Sequence, residues 1–260
     1  IIQKIAMKKI LTTAILCAGL VGFTACDSFL DEEPKSSLTL DTYYKTSADI
    51  IGNVNYLYRD GAPDKMGNMT GAYRGSSLSV MNMVTGYFVN EYEGQEVDCS
   101  YARQLTRQNF TQSCCNYLTN DTWKGCYKSI NVANAVIKYV DGVEMDGQAQ
   151  YKAEARFFRA LNYFYLVKMF GDVPMITEPT EDATLVEYPA RTAASEVYKT
   201  VIIPDLQFAV ENLPDATFAG NSHRVTKYAA DMLLADVYMR LGEYANAVTP
   251  LKDVINSGKF

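Results

Sequence analysis

Glu154–Pro174 reads EARFFRALNYFYLVKMFGDVP, and the spacing of its apolar residues decides the fold class. Phe157, Leu161, Phe164 and Tyr165 share one side of a 3.6-residue helix, while Phe158, Leu166, Met169 and Phe170 widen the stripe. Lys152, Arg156 and Arg159 recur at helical spacing and form the one edge expected to be wet. A helix apolar over most of its circumference belongs at the centre of a packed array. Gly171 stands where a left-handed C-terminal cap belongs, and Pro174 keeps the helix from resuming. Locally this predicts a hub and supplies no chemistry.

The flanking sequence extends the helical pattern. Asn120 or Asp121 can cap a helix that buries Trp123, Tyr127, Ile130, Ala133, Asn134 and Ile137. The only tryptophan, Trp123, could serve as a platform for a sugar ring, but its register with Tyr127 and Ile130 makes it core. After a loop over Val173–Arg191 with three prolines, Thr192 can cap a helix burying Val197, Val201, Leu206, Ala209, Val210 and Leu213. Pro204 is expected to kink that helix or split it. Leu234–Ile255, LADVYMRLGEYANAVTPLKDVI, fits the tetratricopeptide pattern: Leu234, Ala235, Tyr238, Gly242, Tyr244 and Ala247 fall at its offsets. Small residues let paired helices approach, aromatics fill between them, and Gly242 makes the turn. Pro250 is expected to bend the second helix. Gln148–Gly171 with the Thr192 helix reads as a more decayed repeat. The fold class is therefore all-α: a tetratricopeptide-like helical array of two to four hairpins with long irregular loops.

Nearer the start, Thr46 with Asp49 forms a variant capping box for a helix burying Ile50, Ile51, Val54, Leu57 and Tyr58 and ending near Asp60-Gly61. Ala62–Gly75 has the composition of a loop, and Ser77–Val89 suggests a further helix with Leu78, Met81, Val84 and Phe88 buried. Gly86–Gln112 is irregular, and long loops inside a compact domain tend to carry function. Tyr87, Tyr92 and Tyr101 can offer flat faces to the C–H side of a sugar ring, and Arg103, Gln104 and Asn109 can bond its hydroxyls. The bland alternative is a surface loop whose tyrosines pack on the helices.

Met7–Cys26 bears on the compartment. Lys8 and Lys9 precede a short apolar run, Ile10–Phe23, too short to span a bilayer and read as a cleaved signal. Phe23-Thr24-Ala25-Cys26 resembles a bacterial lipobox, making Cys26 the lipidation site; the alternative is an ordinary signal peptide with an incidental cysteine. Ile1–Ala6 precede the first Met and read as an extension. The expected layout is extension and signal over 1–25, a lipidated tether over 26–46, and a helical domain over 47–260. An exported compartment permits one or two disulfides among Cys99, Cys114, Cys115 and Cys126, with the pairing left open.

Several function classes lose support. The net charge of −6 and the lack of a basic block give no electrostatic footprint for nucleic acid. A single histidine excludes a His-rich metal site, and no Cys-x-x-Cys pair suggests zinc. No nucleophile motif or phosphate loop is present, so no catalytic residue, cofactor or metal is assigned. His223 beside Arg224 sits in a turn before a helix capped by Thr226, where a solvated or capping role outweighs a catalytic one. Glu91, Glu93, Glu96 and Asp98 could supply a hydrolase carboxylate pair or a calcium site, although acidic loops are common.

EARFFRALNYFYLVKMFGDVP resembles the signature stretch of the SusD/RagB family of surface glycan-binding lipoproteins. WKGCYKSINVANAVI (Trp123–Ile137), EVYKTVIIPDLQFAVENLP (Glu196–Pro214) and HRVTKYAADMLLADVYMRLGEYANAV (His223–Val248) resemble other helices of that family, in family order. The resemblance implies a non-enzymatic protein lipid-anchored at the cell outer membrane, with acidic residues after Cys26 accompanying export to the surface. Its partners would be an oligosaccharide or polysaccharide and a SusC-like TonB-dependent transporter. A competing reading is a lipid-anchored tetratricopeptide module that binds protein and has no glycan site of its own; a third is a lipid-anchored hydrolase. Family members are about twice this long, so the resemblance covers an N-terminal half, and an exposed apolar patch is expected where the other half would dock.

Overall fold

The computed structural model describes residues 40–59, 85–87, 104, 106–109, 111–181 and 189–260. Its elements are α1 (Leu40–Tyr43), α2 (Ser47–Arg59), α3 (Gln112–Tyr139) with a 3₁₀ turn at Val140–Gly142, and α4 (Gln148–Phe170). They are followed by α5 (Ala194–Val197), a π-helical turn (Tyr198–Ile202), α6 (Ile203–Asn212), α7 (Lys227–Arg240) and α8 (Tyr244–Asn256). Successive helices pack on one another: α3 on α4, α4 on α6, α6 on α7 and α7 on α8, while α2 lies against α3 and α4. Among the described residues there is no strand, and one antiparallel bridge joins Val173 to Thr192.

The hub is where its periodicity places it. Phe157, Phe158, Tyr163, Phe164 and Leu166 of α4 are buried among Ile50, Val54 and Leu57 of α2, Ile130 and Val136 of α3, and Val201, Ile202 and Leu206. Gly171 adopts φ 68° and ψ −123°, and its N–H closes the helix on the Val167 carbonyl at 3.0 Å. That backbone region is open to glycine and strained for other residues. The α7–α8 turn is a Schellman cap: Gly242 has φ 74°, its N–H reaches Met239 O at 3.1 Å, and the Glu243 N–H reaches Tyr238 O at 2.9 Å. Ala235 and Ala247 are buried in this last hairpin, as the repeat pattern requires.

Several sequence expectations are corrected. Arg159 is not on a wet edge; it is 8% exposed and ion-paired inside the array. Asn120 and Asp121 do not start a helix, because α3 begins at Gln112 and passes through them. Residues 112–121 hold neither Gly nor Pro, and a capping residue ends up inside a helix when nothing before it breaks the chain. Thr192 does not cap α5: Ala193 stands at the N-cap position, and Thr192 lies one residue earlier, bridged to Val173. Asp172 does that work, its Oδ1 accepting the Ala194 N–H at 2.9 Å. Thr226 occupies the N-cap position of α7 but makes no side-chain cap bond. Residues 85–87 form a turn with Gly86 at φ 78°, so a helix cannot run through Ser77–Val89 unbroken. The helix around Pro204 is interrupted, as expected, but by a π turn just before the proline: Ile203 N–H bonds Tyr198 O, and Pro204 sits in the first turn of α6. Pro250 lies buried within a continuous α8. Cys126 is buried as a free thiol, and burial pushes it up to about 12.

Leu40–Phe260 form one compact unit, whose first residues fall inside the stretch assigned to the tether. Tyr44 is buried there and stacks on Tyr139 with centroids 5.2 Å apart. The Thr46–Asp49 box forms, with the Thr46 N–H donating to Asp49 Oδ2 at 2.8 Å and the Asp49 N–H reaching Thr46 Oγ1 at 3.4 Å. The outer face of α8 leaves Tyr244, Val248 and Ile255 exposed, an apolar patch at i, i+4 and i+11. No helix among the described residues is long and apolar enough to cross a membrane.

Candidate functional site

Two buried polar networks position the surface on either side of α4. In the first, Arg159 forks onto Asp205 of α6, Nε to Oδ2 at 2.6 Å and Nη2 to Oδ1 at 2.9 Å. Arg159 Nη1 donates to Asn134 Oδ1 of α3 at 2.9 Å. Asn134 Nδ2 in turn donates to the carbonyls of Ile176 and Glu178 at 3.0 and 3.2 Å. Burial pushes the Asp205 carboxyl up, and the bonds and charge of Arg159, with Arg156, oppose that push. Arg156 stacks over the Phe208 ring at 4.2 Å.

This network seats the segment after α4. Tyr127 OH donates to Pro174 O at 2.7 Å, Tyr163 OH donates to Ile176 O at 2.8 Å and accepts the Ile176 N–H at 2.7 Å, and Thr180 N–H donates to Asn131 Oδ1 at 2.7 Å. A proline-bearing strip that lacks helical bonds is thereby satisfied by side chains of α3 and α4. Trp123 is half-buried at its edge, packing on Phe170 at 5.2 Å and Tyr127 at 5.0 Å, with Arg191 over its ring at 5.7 Å. Trp123 is thus a core-edge residue whose face is already taken.

The second network holds α2 and the turn before α7. Glu154, fully buried, receives Arg224 Nε at 3.0 Å and Nη2 at 2.6 Å, Gln150 Nε2 at 3.0 Å, and Tyr58 OH at 2.9 Å. Tyr58 OH also accepts the Val225 N–H at 3.0 Å, and Arg224 Nη1 reaches Asn55 Oδ1 at 2.8 Å. Burial and the neighbouring Glu154 carboxylate push the Tyr58 phenol up. Arg224 is therefore a latch and not half of a catalytic pair. His223, exposed at φ 61°, meets the Phe218 ring edge-on at 5.2 Å.

Of the sequence-predicted sugar contacts, Tyr87, Gln104 and Asn109 are described. Tyr87 is 89% exposed, carried on the turn that Gly86 makes. Gln104 organises a second turn: its carbonyl accepts the Asn109 N–H at 2.9 Å and its Oε1 accepts Thr111 Oγ1–H at 2.6 Å, while Gln108 takes φ 53°. Asn109 is exposed there. Gln104 thus spends its side-chain oxygen on the turn, leaving Tyr87 and Asn109 as the open contacts of this set. Tyr92, Tyr101, Arg103, Glu91, Glu93, Glu96, Asp98 and Cys26, the expected lipidation site, lie outside the described residues. Among the described residues no cluster of His, Cys, Asp or Glu could hold a metal ion.

The buried networks were the part that sequence reading missed, although a signal existed. Asp205 stands in register with Val201 and Ala209, and Arg159 with Ala155 and Leu166, each an apolar stripe interrupted by one charge. Opposite charges in two such stripes of neighbouring helices are the mark of an internal pair.

Fold and site together define a helical-array scaffold of paired helices carrying irregular surface segments. Comparison with known proteins narrows the class: a SusD-like family, described as starch-binding and associating with the outer membrane, matches residues 28–239. The chain belongs to this SusD-like family. A SusD-like protein of Formosa agariphila is 30% identical over 254 residues, covering 96% of this chain and 47% of the relative. One from Bacteroides ovatus is 28% identical over 257 residues, covering 96% and 42% respectively. Among solved structures, a laminarin-binding SusD-like protein aligns with a TM-score of 0.68 at 27% identity, over 81% of this chain and 44% of that one. A SusD superfamily protein from Parabacteroides distasonis gives 0.65 at 26% identity, over 81% and 45%. The chain thus spans about half the length of the relatives it matches.

Proposed function

We propose that this chain belongs to a cell-surface lipoprotein, anchored through Cys26, that captures oligosaccharides and passes them to a SusC-like TonB-dependent transporter in the outer membrane. The observation that carries this reading is the likeness, at 27% identity and a TM-score of 0.68, to a protein whose name states that it binds laminarin. The described surface supports it chemically. Tyr87 offers an open aromatic face and Asn109 an exposed amide, the two kinds of group a sugar ring uses. Tyr92, Tyr101 and Arg103 complete the proposed contact set, with Gln104 able to add its amide Nε2 while its Oε1 is held by Thr111. The role is binding and not catalysis. Residues 1–25 are the extension and signal, 26–39 the tether, and the helical domain follows from Leu40.

The test is calorimetric titration of a soluble form beginning at Asp27 with β-glucan and α-glucan oligosaccharides. Saturable heat with one class, reduced at least tenfold in affinity by Tyr87→Ala, supports the reading. A folded chain that gives no heat with any oligosaccharide contradicts it. One observation favours a second reading, a protein-binding array: the exposed apolar face of α8, formed by Tyr244, Val248 and Ile255. Saturable binding of the soluble transporter domain without any glycan response would favour that alternative.

A further inference from the structure

The α7–α8 hairpin buries a carboxyl group with an oxygen left unbonded. Asp231 of α7 is 1% exposed, and its Oδ2 is buried without a hydrogen-bond partner. A buried acceptor in that state is costly, and far more so when charged. The charged groups that act on it are Lys227, one turn earlier on the same helix, and Asp253 on α8. Lys227 Nζ leans 3.8 Å from Asp253 Oδ2, so the one nearby cation is shared between two acids. On the helices packed against the other sides of α7, Asp205 of α6 and Arg159 of α4 are closed on each other.

What holds α8 in place is slight. Its buried residues are Ala247 and Pro250, while Tyr244, Val248 and Ile255 face outward. An element with so little buried apolar surface opens locally before the rest of a fold does.

We propose that Asp231 is a proton-sensitive latch at the α7–α8 seam, which seats α8 firmly when its carboxyl is neutral and loosens α8 when it ionises. Burial pushes this carboxyl up from 3.8 to about 6, with Lys227 opposing and Asp253 adding to the rise. The sign follows from linkage. A carboxyl that holds its proton more tightly with α8 docked than with α8 open favours docking fully below its ordinary value, and that preference is lost as pH rises through about 6. Between that ordinary value and about 6 the opening equilibrium of α8 rises by roughly tenfold to a hundredfold in all and then levels off, the lower figure allowing for solvent screening once α8 moves.

The test is hydrogen exchange of the α8 amides between pH 5 and pH 8, corrected for intrinsic exchange chemistry, in the full chain and in Asp231→Asn. In the unmodified chain α8 opening should increase severalfold, up to about tenfold, across that range, while α3 and α4 stay unchanged. Asp231→Asn, which keeps the shape and removes the titration, should hold α8 at its low-pH protection throughout. Asp253→Asn keeps the idea testable if the first variant folds poorly, since removing the like charge should move the midpoint to lower pH. Protection of α8 that does not respond to pH, a pH response unchanged in Asp231→Asn, or a midpoint unmoved by Asp253→Asn would each overturn the latch.

Discussion

Replacing Arg159 with Met should cost this fold more than any change on its surface. The side chain makes two bonds to Asp205, at 2.6 and 2.9 Å, and one to Asn134 at 2.9 Å, with Asp205 just 2% exposed. Methionine keeps the aliphatic packing and removes the guanidinium, so the deficit reports the stranded carboxylate and amide. Removing one partner of such a pair costs about 3–5 kcal/mol. For a domain of this size that corresponds to a fall in Tm of roughly 6–20 °C. The deficit should also depend on pH. Burial already pushes Asp205 up, and without Arg159 it is pushed further, so stability of the variant falls as pH rises and the gap to the unmodified chain widens from pH 5 to pH 8. The assay is urea denaturation followed by far-ultraviolet circular dichroism, run at both pH values. The double variant Arg159→Met with Asp205→Leu should be more stable than Arg159→Met alone, because the orphaned charge is gone. A single-variant loss under about 1 kcal/mol, or strict additivity in the double variant, would refute the reasoning.

Two further perturbations test how the surface segments are held. Arg224→Met should cost about 2–4 kcal/mol in denaturation, because fully buried Glu154 keeps just Gln150 and Tyr58, and it should raise proteolysis in the 214–226 turn before it affects α3. Asp172→Ala removes the acceptor of the Ala194 N–H and should cost about 1 kcal/mol, measured by thermal melting, with Asp172→Asn largely neutral.

What was legible in the sequence follows from period and punctuation. The stripe through Phe157, Phe158, Phe164 and Leu166 identified the central helix because burial on several sides leaves a 3.6-residue pattern that no other element shares. Gly171 and Gly242 marked helix ends because a positive φ there restricts the residue choice. The tetratricopeptide offsets around Leu234–Ala247 placed the last hairpin for the same reason: each reflects a local contact between residues near in sequence. What was hidden depended on contacts between distant residues. Arg159 reads as solvent-facing until Asp205, 46 residues on, is seen opposite it. Thr192 looks like the better cap, yet Asp172 reaches the same N–H from across the loop. Asn120 and Asp121 carry cap chemistry that counts for nothing once the helix has already started at Gln112, in a stretch with no Gly or Pro to break it. The candidate sugar contacts were chosen by residue type alone, and type does not say whether a side chain is spent on its own turn, as Gln104 Oε1 is, or left open, as Tyr87 is.

Whether this scaffold belongs to a glycan-capturing surface protein is decided by calorimetry with laminarin-type oligosaccharides. The account predicts saturable heat for the soluble chain beginning at Asp27, weakened at least tenfold by Tyr87→Ala while the melting curve stays unchanged. A chain that melts cooperatively and gives no heat with any oligosaccharide, or one whose binding is untouched by Tyr87→Ala, Tyr92→Ala and Tyr101→Ala together, would contradict it.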